Sequence, residues 1–144
     1  LNDLLQSYHS NTKKIKINFE HDKKTTYIFA NKNQLARVFI NLIDNSISYS
    51  PVGSEILIKM QNLRNIVSII IADQGPGIEQ NLWYKVFERF YTDRKPDSDK
   101  KHSGLGLSIS KKIIESFSGS LRLTNFKSKK YFGACFEINL PLKD

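Results

Sequence analysis

The chain has 144 residues, 40% of them hydrophobic, and a formal charge of +8. That length supports one domain with its own core and is too short for two, and the single cysteine, Cys135, excludes an internal disulfide framework. No apolar run reaches the length of a membrane-spanning helix, and a basic surplus attracts nucleic acid, membrane surfaces and anionic ligands alike, so charge by itself selects no partner.

No basic, apolar, small-residue leader pattern opens the chain, and its first residue is Leu1 rather than Met, which suggests a fragment of a larger protein. A lone thiol inside an alternating apolar run fits a reducing cytoplasm. KIKINFE (14–20) and TTYIFAN (25–31) are β-prone runs joined by the polar HDKK, a pattern that predicts a hairpin. The period then changes. From Asn33 to Ser50 the apolar residues Leu35, Val38, Phe39, Leu42, Ile43 and Ile47 recur at helical spacing, and Pro51 and Gly53 end the run.

EILIKMQ (55–61) and NIVSIIIAD (65–73) read as strands, the second so apolar that both its faces should be covered. QGPGI (74–78) is a turn, and NLWYKVFERFY (81–91) contains short helical or irregular apolar pieces. The polar segment from Asp93 to His102, interrupted by Pro96, predicts a mobile loop. A second helix should run from about Gly104 to Phe117, with Ile109, Ile113, Ile114 and Phe117 on its apolar face and Gly119 as its stop. GSLRLTN and YFGACFEINL close the chain as strands, the even positions Phe132, Ala134, Phe136, Ile138 and Leu140 sharing one face. This order of elements predicts an α+β domain with a mixed, largely antiparallel sheet and helices on one face.

Three places carry chemistry. On the first long helix Asn41, Asn45, Ser48 and Tyr49 fall on one surface beside the apolar stripe; mid-helix asparagines call for an outside partner, although a solvated face explains the pair equally well. Asp73 ends an apolar strand just before Gly75 and Gly77. A carboxylate there accepts from an N–H donor such as an exocyclic amine, and the glycines let backbone approach a flat ligand, but an ordinary turn accounts for the stretch as well. In HSGLGLSIS (102–110) the glycines lie where a helix starts, and backbone N–H groups at such a start suit an anion; close helix packing is the alternative. No G-x-x-x-x-G-K-[ST] and no G-x-G-x-x-G occurs, so P-loop and Rossmann sites lack support.

Taken in order, NQLARVFINLIDNSISYSP, DQGPGI, VFERFYT and SGLGLSIS resemble the N, G1, F and G2 boxes of the ATP-binding catalytic domain of sensor histidine kinases, in the gyrase, chaperone and mismatch-repair ATPase superfamily. The match runs from about Lys14 to Leu142. It implies a two-layer Bergerat fold with an ATP lid, residues 14–144 forming the catalytic domain and 1–13 the tail of a linker from a missing dimerisation domain. It also implies roles. Asn45 would hold Mg2+, and Asp73 would receive the adenine amine in a pocket shaped by Gly75, Gly77 and Ile78 and covered by Tyr49. Ser103, Gly104, Leu105, Gly106 and Leu107 would meet the phosphates, Phe87 and Phe90 would anchor the lid, and Ser48, Phe90 and Tyr91 would also contact the nucleotide.

At Asn41 related ATPases place a glutamate base; a neutral amide there favours handing the γ-phosphoryl to a side chain over rapid hydrolysis. Two family cations are missing, at Ser48 and at Thr92, and Arg94 or Lys95 could replace the second, with solvated lid charges the alternative. The family often has glycine where His102 stands. FYTDR with HSGLGLSIS looks most like the envelope-stress and acid-sensing kinases of alphaproteobacteria. His21, in HDKKTT, lacks the leucine and proline of a phosphoacceptor motif and sits in the expected hairpin turn, so the acceptor histidine lies elsewhere.

The implied function is transfer of the γ-phosphoryl of Mg-ATP to a histidine on the dimerisation domain of the same kinase, for relay to a response-regulator receiver domain. The parent would be a homodimeric inner-membrane sensor with this domain in the cytoplasm, monomeric when isolated. An anti-sigma-type serine kinase and a non-catalytic nucleotide-binding module are the alternatives. Nucleic acid is not expected as a partner, because the basic residues are scattered and no recognised motif gathers them.

Overall fold

The computed structural model describes residues 1–8, 13–92 and 104–143. Its elements in chain order are α1 (Asn2–Gln6), β1 (Lys16–His21), α2 (Lys32–Tyr49), β2 (Glu55–Leu63), β3 (Ile66–Ala72), two short 3-10 turns at Gln80–Leu82 and Lys85–Phe87, α3 (Gly106–Ser116), β4 (Ser120–Leu123) and β5 (Cys135–Pro141). The five strands form one sheet in the order β1-β2-β3-β5-β4. β1 pairs with β2 in parallel and the remaining pairs are antiparallel, so the sheet is mixed and largely antiparallel as the element order predicts.

The long helix α2 starts where the Asn31 side chain accepts from the N–H groups of Asn33 and Gln34, at 3.0 and 3.1 Å. Its apolar stripe, Val38, Phe39, Leu42, Ile43 and Ile47, is buried against the sheet residues Ile56, Ile58, Ile69, Ile71, Phe136 and Ile138. Full burial of each such side chain stabilises the fold by about 1.5–3 kcal/mol. At the other end the Lys13 ammonium donates to the carbonyls of Ser48 and Ser50, at 2.7 and 3.0 Å, satisfying acceptors that a helix C-terminus leaves open. The first residues pack inward: α1 sends Leu1, Leu4, Leu5 and Tyr8 against the core, and the Tyr8 hydroxyl donates to Asp44 at 3.0 Å.

The apolar strand β3 is covered on both sides, as its composition requires. Val67, Ile69 and Ile71 face the helices, while Ala72 joins Leu57, Tyr131 and Cys135 in a smaller cluster on the opposite face, with Ile70 and Phe126 packed against it. The antiparallel β3–β5 register ends at Ala72 opposite Cys135, but the pairing continues one residue further, through Asp73 N–H to Ala134 O (3.0 Å) and Gly133 N–H to Asp73 O (2.9 Å). That extension holds Asp73 rigidly at the sheet's edge.

Several local expectations are corrected. Residues 14–31 do not form a hairpin: β1 pairs in parallel with β2, and α2 supplies the crossover. In TTYIFAN only Ile28 makes a ladder contact, an isolated bridge to Leu142, and Tyr27 and Phe29 are 71% and 84% exposed. A strand there would bury one side chain and leave two aromatics in solvent. Instead Asp22 binds the backbone N–H and side-chain amide of Asn62, at 2.8 and 2.7 Å, and the chain crosses the end of β2. Phe132 does not join the even-numbered face of the last strand. It is 66% exposed, because the strand begins only at Cys135, after Gly133 has packed against Asp73. α3 begins at Gly106 rather than at Gly104, and Ser118 rather than Gly119 takes the left-handed conformation (φ 58°) beyond its end. Gly119 serves close approach, since a Cβ there would lie 2.5 Å from the Asn139 carbonyl. The expected loop from Asp93 to His102 lies outside the described residues.

Candidate functional site

Asp73 is 2% exposed, an unusual position for a carboxylate with no cation beside it among the described residues. Its Oδ1 accepts from the backbone N–H groups of Gly75 (2.9 Å) and Ala134 (3.0 Å). Burial pushes the carboxyl pKa up, and those two N–H groups pull it back in part. The buried Ser46 hydroxyl, one helical turn inside α2, lies near enough to favour the charged form while standing outside hydrogen-bond geometry. No backbone N–H among the described residues reaches Oδ2, which is therefore the oxygen able to accept from a ligand.

The turn after Asp73 is pressed against α2. A Cβ on Gly75 would lie 3.0 Å from the Tyr49 carbonyl, and Gly77 takes φ +75°, a left-handed backbone that glycine adopts without strain. Gly133 encloses the carboxylate from the β5 side, where a Cβ would fall on Asp73 Oδ1 and 2.6 Å from the Gly75 nitrogen. Ile78 is half-buried and Tyr49 is 42% exposed at the C-terminal end of α2, so the elements that border the acidic edge carry an apolar and an aromatic side chain.

On α2 the two asparagines differ. Asn45 is half-buried and its amide makes no hydrogen bond to another described residue, leaving an oxygen donor for a hard cation. Asn41 is half-buried against α3: its Nδ2 donates to the Ser110 hydroxyl at 2.9 Å, and its side chain abuts Gly106, where a Cβ would lie 2.9 Å from Asn41 Cγ. Ser48, also half-buried, adds a hydroxyl on the same helix. Among the described residues no side chain caps the start of α3. Leu105 occupies the N-cap in helical geometry (φ −102°, ψ −23°), followed by Gly106 and Leu107. Backbone N–H groups at a helix start suit an anion.

Phe87 packs edge-on to the core residue Phe136, with ring centroids 6.4 Å apart, and the Lys111 ammonium lies 5.2 Å from the Phe87 ring centre. The second expected anchor, Phe90, keeps its side chain 67% exposed and contributes backbone instead. Its N–H donates to the Gly104 carbonyl at 2.8 Å, with Phe90 at φ 64° and Gly104 at φ 69°. A Cβ on Gly104 would lie 2.6 Å from the Phe90 carbonyl carbon. The described chain on either side of 93–103 is thus clasped at one point. Tyr91 is half-buried beside it; Arg94, Lys95 and Ser103 lie outside the described residues.

The structure brings Asn41, Asn45, Ser48, Tyr49, Asp73, Gly75, Gly77, Ile78 and residues 104–107 onto the elements that meet at the C-terminal ends of α2 and β3 and the start of α3. Gly133, Ser46 and Ser110 belong there too and were not anticipated. A cleft of about 370 Å3 lined by His21, Lys24, Thr26, Leu35, Phe39 and Met60 lies toward the opposite end of α2, away from these residues. A buried acceptor, a neutral amide pair and an uncapped helix start together suit a purine base at one end and a phosphate chain with a hard cation at the other.

Residues 30–144 match the family model described as histidine kinase-, DNA gyrase B-, and HSP90-like ATPase. Among curated relatives, histidine kinase P4 of Formosa agariphila is 35% identical over 128 residues, covering 86% of this chain and 9% of that protein. Sensor protein ChvG of Agrobacterium fabrum is 33% identical over 149 residues, covering 96% and 25%. The chain thus spans a quarter or less of the length of these two relatives. ChvG agrees with the alphaproteobacterial resemblance, yet P4 matches at similar identity, so no single branch is selected. Among solved structures, histidine kinase ThkA in complex with response regulator protein TrrA superimposes with a TM-score of 0.77 at 26% identity, covering 99% of this chain and 40% of that one. The carboxylate-and-glycine floor, the asparagine helix and the uncapped α3 are its local expression: the chain belongs to the histidine kinase-, DNA gyrase B- and HSP90-like ATPase family, with sensor histidine kinases as its relatives.

Proposed function

We propose that this chain is the catalytic domain of a sensor histidine kinase, binding Mg-ATP and delivering the γ-phosphoryl group to a histidine on a separate dimerisation domain of the same protein. The observation that carries this reading is Asp73. Its Oδ1 is held by two backbone N–H groups and its Oδ2 is left to accept, an arrangement complementary to the exocyclic amine of adenine and unsuited to the carbonyl of guanine. Tyr49 and Ile78 would flank the base, and the N–H groups of Gly104, Leu105, Gly106 and Leu107 would receive the phosphates with Ser103, Arg94 or Lys95.

Mg2+ fits the residues present. Among the described residues no three His, Cys, Asp or Glu side chains cluster to form a metal cage, so a metal would take one amide oxygen from Asn45 and the rest from phosphates and water, as Mg2+ prefers. When bound it would offset phosphate charge. The chain's own contribution is alignment and water exclusion, which supply most of the catalysis in phosphoryl transfer. In the transfer itself the bond from the γ-phosphorus to the bridging oxygen breaks, ADP leaves, a P–N bond forms to the acceptor imidazole, and the imidazole proton is released. Asn41 cannot accept a proton as a carboxylate would, so water gains little advantage over the imidazole.

The wider assembly follows from the same reading. Residues 1–13 would lead from the dimerisation helices, the phosphohistidine would pass to a receiver domain like the TrrA partner of ThkA, and the parent would be a homodimeric membrane sensor with this domain in the cytoplasm. No described helix is itself long and apolar enough to cross a membrane. The test is to incubate the full-length parent with γ-labelled ATP. Acid-labile, base-stable label that disappears in Asn45→Ala is expected. Acid-stable label would indicate a serine kinase, and micromolar ATP binding without transfer to a supplied acceptor domain would indicate a nucleotide-binding module.

A further inference from the structure

We infer that Ser110 is a positioning residue for phosphoryl transfer, acting through Asn41. This rests on the kinase reading above. Ser110 is 2% exposed, on the α3 face that packs against α2, at a place where an apolar side chain would ordinarily fill the interface. Its hydroxyl accepts from Asn41 Nδ2 at 2.9 Å. One turn earlier on the same face, Gly106 leaves room for the Asn41 amide that no Cβ would permit. Position 106 thus makes the space and position 110 sets the amide in it.

The hydrogen bond joins the asparagine-bearing helix to the helix whose start would receive the phosphates in the proposed reading, so the two elements are held in one register. It also commits Nδ2 to the protein and leaves the carbonyl oxygen beside Gly106, at the start of α3. Without Ser110, the amide would rotate freely between donor and acceptor presentations, and an asparagine that aligns a γ-phosphoryl group depends on which one it offers.

The experiment uses the full-length parent with Ser110→Ala, Ser110→Cys, Ser110→Thr, Asn41→Ala and the Asn41→Ala/Ser110→Ala pair. Each is assayed for Mg-ATP affinity, for the transfer rate at saturating ATP and for unfolding midpoint. Loss of one neutral hydrogen bond should lower the transfer rate of Ser110→Ala about three- to tenfold. The ATP dissociation constant should move by less than about threefold, as expected when an interaction serves the transition state rather than ground-state binding. Ser110→Cys, of nearly equal volume but a poor acceptor, should reproduce the loss, and Ser110→Thr should restore it. In the Asn41→Ala background Ser110→Ala should have no further effect. An equal loss in both backgrounds, an unchanged rate in Ser110→Ala and Ser110→Cys, or a rate that merely follows the unfolding midpoint overturns the proposal. Failure of the wild-type parent to label a histidine would overturn the kinase reading instead.

Discussion

Replacing Asp73 with asparagine separates what the carboxylate does for binding from what it does for stability. Two backbone N–H groups converge on Oδ1 at 2.9 and 3.0 Å, so the asparagine carbonyl must take that position and its NH2 must take the position of Oδ2. The adenine amine would then face a donor. Loss of a hydrogen bond to a charged acceptor is worth about 1.5–3 kcal/mol, or about 10- to 150-fold in the dissociation constant. Inosine triphosphate, with a carbonyl at the same ring position, should lose far less, so the ratio of the two affinities reports the swap directly by calorimetry.

Stability should move the other way. Burial holds the Asp73 carboxyl above its ordinary range, so the folded state binds this proton more tightly than the unfolded chain does. The group's contribution is then fully present below the unfolded pKa, near 4, and is lost as pH rises through the folded value. A neutral amide in its place removes that loss. The Asp73→Asn variant should melt at or above the wild-type temperature at neutral pH, and the two curves should converge in acid. An Asp73→Asn protein that binds ATP as tightly as the wild type, or that unfolds at neutral pH, refutes the reasoning.

Gly133→Ala should cost about 1–3 kcal/mol in denaturant and weaken ATP binding without touching the nucleotide, because its methyl would occupy the space of Asp73 Oδ1; unchanged affinity would contradict this. Gly104→Ala forces a side chain into φ 69° against the Phe90 backbone and should cost at least about 1–2 kcal/mol, read as a lower unfolding midpoint with weaker ATP binding; wild-type values for both would dismiss the clasp. The Cys135 thiol is 3% exposed and pushed up to about 12, first by burial and then by the charges of Glu137 and Asp73. It should resist alkylation at pH 8 in the folded protein and react on unfolding, and rapid labelling of the native state would place it elsewhere.

Local patterns read correctly where one element buries its own repeat. The stripe of Val38, Phe39, Leu42, Ile43 and Ile47 sits on a single helix and needs no knowledge of its neighbours to be recognised. In TTYIFAN the alternation is strand-like but the outward aromatics, Tyr27 and Phe29, find no cover, and at Phe132 periodicity does not register that Gly133 interrupts the strand. In each case the deciding contact lay far along the chain.

The order of four short motifs determined the family, because chemistry-bearing side chains and glycines must recur at set points along any chain that builds this site; the residues proposed to touch the nucleotide are the ones those motifs carry. What only the tertiary structure decided is how those residues are held. Gly133 reaches Asp73 through strand pairing between distant parts of the chain, Ser110 reaches Asn41 through the packing of two helices, and Phe90 meets Gly104 by backbone alone. Contacts between distant small residues leave no periodic trace, since what they require of the sequence is the absence of bulk rather than the presence of a pattern.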